Sequence, residues 1–263
     1  MRAWCAGILA SAGLLLSLPS DASAQSGDDI LASVRQAYLE GRWDDVLDAT
    51  EGGEVRALLL KLRAQTLLLT GEYDAAVRAV GGRNASSLDP DVARVRGEVL
   101  LEVGDRAGAR AAFETSVESD APDAAISRLR LAEMAMYSDA RDAAFEVFDS
   151  FIDFYNSGAA DTPDELVAVA RAVTHLSRTN PALLQDALRA FDEAAALDPL
   201  YPDPRIALGD LFRHTYQTPN AYDEYAAVLE RNPRHPDALV GRARAQRFDG
   251  NPAAMETARA ALE

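Results

Sequence analysis

Apolar and small residues in this chain recur three or four positions apart, in short blocks that come in pairs. Leu60, Ala64 and Leu67 make one block, and after Gly71 a second follows with Tyr73, Ala76 and Val80. Ala93, Gly97 and Leu100 lead in the same way to Ala109, Phe113 and Ser116 around Gly104. Leu131, Ala132 and Ala135 lead to Ala144, Phe148 and Phe151, and Leu208, Gly209 and Phe212 to Ala221 and Tyr225. Such spacing puts each block on one face of a helix, so the pattern predicts pairs of short amphipathic helices. Gly41, Gly71, Gly104 and Gly250 fall just past a first helix, where the backbone turns left-handed. Asp89-Pro90, Asp198-Pro199, Asn232-Pro233 and Asn251-Pro252 mark breaks, since Pro removes a donor and clashes with the preceding turn.

The pairs have a fixed period. Phe191, Ala194 and Asp198-Pro199 return as Tyr225, Val228 and Asn232-Pro233, so that Pro199 and Pro233 stand 34 residues apart. A small residue, a following aromatic and a closing Pro at this period mark a helix-turn-helix repeat. The chain here resembles the tetratricopeptide repeat (TPR) family. That resemblance implies an all-α fold: an α-solenoid of about seven repeats forming a right-handed superhelix. Approximate repeats are residues 27–52, 54–82, 88–121, 122–156, 161–199, 200–233 and 234–263, the first degenerate and the last incomplete. The fifth carries about three extra residues around Asn180-Pro181. Small residues (Ala64, Gly97, Ala132, Gly209, Ala243) let paired helices cross closely, and aromatics (Phe113, Phe148, Phe191, Tyr225) fill the gap toward the next repeat.

Composition narrows the function. A net charge of −16 with a single lysine, Lys61, excludes the basic surface that nucleic acid requires. Residues 1–24 read as a leader: Arg2 is a positive start, residues 6–18 are apolar, and Ala22 and Ala24 frame a cleavage site. That run is shorter than the roughly 20 residues that span a bilayer. Cleavage after Ala24 predicts an exported bacterial chain, periplasmic or alternatively extracellular, and it removes Cys5, the only cysteine.

No catalytic, phosphate-binding or metal-ligand motif stands out, and no cofactor is expected. His175 occupies an inward repeat position and reads as a core histidine. The resemblance instead implies a ligand groove lined by the first helix of each repeat. Its candidate residues are Glu98, Glu102, Met136, Tyr137, Arg213, His214, Arg244, Arg247 and Phe248. Together with Glu133 they describe a groove acidic at one end and basic at the other, suited to an acidic or C-terminal carboxylate peptide. Met136 and Tyr137 offer a second, apolar pocket. The expected function is a protein- or peptide-binding scaffold of the bacterial envelope without catalysis. The alternative is the N-terminal module of a larger exported protein, such as a metallopeptidase whose catalytic domain follows Glu263. The unfinished last repeat also raises an end-to-end homodimer.

Overall fold

The computed structural model describes residues 27–51, 57–81, 90–118 and 123–262. The leader expected over residues 1–24 lies outside them. Among the described residues the chain forms fourteen α-helices and no strand. In order they are α1 (Gly27–Leu39), α2 (Trp43–Ala49), α3 (Ala57–Leu69), α4 (Tyr73–Gly81), α5 (Pro90–Glu102), α6 (Arg106–Val117) and α7 (Asp123–Ala135). There follow α8 (Arg141–Asn156), α9 (Pro163–Ser177), α10 (Leu184–Leu197), α11 (Asp203–His214), α12 (Thr218–Leu229), α13 (Pro236–Phe248) and α14 (Ala254–Ala260). Odd helices pair with the even helix that follows, and successive pairs stack as an α-solenoid.

Local chemistry sets the boundaries. The Asp105 carboxylate accepts the Gly108 N–H at 2.9 Å and starts α6. Thr162 and Glu165 form a capping box ahead of α9, with Pro163 at the first helical position. The extra residues near Asn180 form one 3-10 turn, Pro181–Leu183, capped by the Asn180 side chain. Gly41 and Gly71 turn out of α1 and α3 at φ +71° and +77°. The equivalent place after α11 holds Tyr216, at φ 62°, a conformation rare for a bulky residue.

Packing follows the small-large alternation. A Cβ on Gly97 would stand 2.5 Å from the Phe113 ring, and one on Gly209 would stand 2.6 Å from Tyr225. Tyr225 also presses on Gly241 of the next pair, so one ring joins two repeats. Phe148, Phe151 and Phe191 are wholly buried in the largest core, which runs from α7 to α11. Truncating any of them to Ala would cost about 3–5 kcal/mol. Smaller cores join α1–α3 and α3–α5.

The stack curves far enough for its ends to meet. Arg35 of α1 forms an ion pair with Asp198, which follows α10. Leu39 lines a small cleft with Pro199, Tyr201, Val228 and Asn232. The Gly41 backbone lies against the Asn232 side chain. Across the inner face, Lys61 of α3 approaches Asp164 of α9 at 3.9 Å. The first repeat therefore rests on the turns that precede α11 and α13.

Gly41→Ala and Gly71→Ala separate backbone strain from this closure. Both force a left-handed alanine, costing about 1–2 kcal/mol. At Gly71 the added methyl meets open space, whereas at Gly41 it collides with Asn232. Urea unfolding should show both losses. Small-angle scattering should show expansion for Gly41→Ala alone, and equal radii for the two variants would refute the seam.

Candidate functional site

Closure converts the inner face into a cavity of ≈1000 Å³. Its wall combines the C-terminal ends of α1, α3 and α5 with the N-terminal ends of α11 and α13 and the last residues after α14. Asp203 and Asp237 sit in the first turns of α11 and α13, where helix dipoles favour carboxylates. Asp44, Asp45, Glu72, Glu98 and Glu102 complete the acidic lining, against Arg42, Arg130 and Arg234. Arg42 binds Glu40 at 2.8 Å and also Asp45, and Arg130 donates to Glu133 at 2.8 Å. The wall carries a surplus of negative charge.

The electrostatics agree. Burial pushes the Tyr38 phenol far above its ordinary value, and the carboxylates of Asp203, Asp237 and Glu98 push it further. Tyr201 is raised in the same way by burial and by Asp203 and Asp164. Its one O–H is shared between Asp203, at 2.8 Å, and Asp164, linking α9 to α11. Asp237 is exposed to the cavity, yet enclosure there raises its carboxyl, with Asp203 and Asp210 adding to the rise and His235 and Arg171 opposing it. Burial lowers His235 against the pull of Asp237 and Asp203.

A second network lies deeper. His175 stacks on Phe148 with centroids 4.6 Å apart, and its Nε2 lies 3.2 Å from Glu133. Burial alone would raise Glu133. The bond from His175 and the charges of Arg130 and Arg171 outweigh it and hold the carboxyl at about 2. Arg94 of α5 reaches Glu98 at 2.9 Å.

Of the residues expected in the groove, Glu98 and Glu102 line the cavity. Met136 packs half-buried against the α7–α11 core. Tyr137 is 87% exposed beyond the end of α7. Arg213 and His214 close α11, where Arg213 meets the His214 ring at 3.0 Å and Asp210 at 3.3 Å. Arg244 and Arg247 are exposed on α13, and Phe248 faces Tyr216 at 5.5 Å. None of these last seven contributes to the cavity wall.

Tyr38, Asp203, His235 and Asp237 are wall residues that the groove positions of the repeat pattern do not include. A signal for three of them exists in the sequence. Asp198-Pro199-Leu200-Tyr201-Pro202-Asp203 returns 34 residues later as Asn232-Pro233-Arg234-His235-Pro236-Asp237. In both copies the first side chain accepts the N–H two residues on, Asp198 from Leu200 at 3.0 Å and Asn232 from Arg234 at 3.2 Å. The phrase thus folds twice into the same turn and delivers an Asp to the cavity each time.

Two family models match: a tetratricopeptide repeat-like domain over residues 36–125 and a tetratricopeptide repeat over residues 94–159. No curated protein matches the chain in sequence. Among solved structures, a tetratricopeptide repeat protein from Parabacteroides merdae is similar at 11% identity and a TM-score of 0.46, over 90% of this chain and 98% of that one. A thermophilic TPR protein of Thermus thermophilus is similar at 18% identity and a TM-score of 0.45, over 83% and 97% of the two chains. YrrB, described as a TPR protein with an unusual peptide-binding site, is similar at 18% identity and a TM-score of 0.38, over 73% and 92%.

The depressed Glu133 predicts a pH dependence. A carboxyl lowered in the folded state stabilises above its ordinary value of 4.5 and loses that contribution as pH falls toward about 2. Glu133→Gln should therefore cost about 3 kcal/mol at neutral pH and less than half of that near pH 3. Urea unfolding at both pH values measures the gap, and a gap that does not shrink in acid contradicts the network.

Proposed function

Because the chain is a tetratricopeptide repeat protein, we propose that it is a protein- or peptide-binding scaffold with no chemistry of its own. The observation that carries this reading is the inner face, where α3, α5, α11 and α13 direct polar and charged side chains at one enclosed space. A stacked array buries its apolar residues between repeats, which leaves the inner surface free to carry recognition groups. Affinity on such a surface comes from a few anchors, not from uniform contact. The leader-like residues 1–24 support an exported scaffold working in a bacterial envelope.

Site-specific photocrosslinking tests this. A photoreactive residue at Glu102, inside the cavity, should capture a protein from extracts of the source cells that the same residue at Asp142, on α8 outside the cavity, does not. Identical capture from both positions, or none from Glu102, counts against the scaffold.

A further inference from the structure

Tyr201 and His235 occupy the same place in two consecutive copies of one turn, and they differ in how they are satisfied. The Tyr201 hydroxyl shares its one proton between two carboxylates, Asp203 and Asp164. One repeat later His235 is 4% exposed and lines the cavity beside Asp237, but its Nδ1 has no hydrogen-bond partner among the described residues. A buried ring nitrogen without a partner is uncommon and costly. Asp237 itself is left without the hydroxyl donor that its counterpart Asp203 receives. A neutral imidazole carries one N–H and one lone pair, whereas carboxylates accept only. The carboxylates at this corner of the cavity are thus acceptors open to a donor ligand.

An aromatic ring completes it. Tyr38 enters from the first repeat, braced edge-on by Trp43 at 5.7 Å, and lies within electrostatic reach of Asp203, Asp237 and Glu98. Carboxylates beside an aromatic face suit a cation with N–H donors. We propose that the cavity receives a lysine or arginine side chain from a basic segment of a partner protein, its N–H groups bridging Asp203 and Asp237 beneath Tyr38. This assignment rests on the scaffold reading and names its ligand class.

Fluorescence anisotropy with the full chain at about 0.15 M salt, where exposed charges are largely screened, tests it with three labelled peptides of one length. One alternates Lys and Arg with Gly and Ser, one replaces every cation by Gln, and one by Glu. The basic peptide should bind and the others should not. Asp203→Asn with Asp237→Asn should weaken it by about 10-fold or more, as expected for lost charge-assisted hydrogen bonds. Asp142→Asn with Asp149→Asn removes the same charge from exposed positions on α8 and should leave affinity within about twofold. Equal weakening by the two pairs would reduce the effect to net charge and overturn the site. Tight binding of the Gln or Glu peptide would overturn the cation assignment while leaving a peptide scaffold. Should every peptide fail while crosslinking from Glu102 still captures a protein, the ligand class is wrong and the scaffold stands. Nuclear magnetic resonance of the three histidines gives a readout that needs no variant. The His235 ring signals should move with the basic peptide while those of His214, outside the wall, stay fixed. Movement of His214 alone refutes the placement.

Discussion

Neighbouring helices in this array approach one another through aromatic rings lying on glycines. Phe113 lies on Gly97, and Tyr225 lies on both Gly209 and Gly241. There is no slack at these contacts, because even a methyl group would enter the ring. Close-packed interiors deform little, so each contact fixes the angle between successive helices. Small fixed rotations accumulate along a solenoid into its curvature. The meeting of the first repeat with the turns before α11 and α13 is the sum of those angles.

What holds the ends together is of another kind. The repeats are joined by buried rings, whereas the seam consists of one ion pair, a leucine in a shallow cleft and an Asn against a Gly backbone. Arg35 is half exposed in that ion pair, and pairs so exposed contribute little. The seam is accordingly the part of the molecule that opens at least cost, while the α7–α11 core is the part that persists. Rigid curvature and a weak closure together give a cavity that is preformed but not sealed.

The fold was legible because its determinants are local. Gly41, Gly71, Gly104 and Gly250 all take positive φ, the Asn180-Pro181 insertion forms a capped 3-10 turn, and the small and aromatic positions meet as their spacing implies. Of the nine groove candidates, Glu98 and Glu102 stand in the cavity wall. A period tells where a residue sits within its repeat, but not which distant repeats come face to face. Asp203 and Asp237 join Tyr38 only through curvature, across some 160 residues or more of sequence. Arg213, Arg244, Arg247 and Phe248 share helices with wall residues yet stand toward the helix C-terminal ends, away from the cavity that the N-terminal turns enclose.

The closure also bears on how a chain reaches the cavity. An open groove accepts a chain sideways along its whole length. Here the first repeat rests on the turns before α11 and α13, so a free end can enter from the mouth of the cavity while the seam stays shut, whereas a chain laid across the seam must wait for α1 to lift from Asn232.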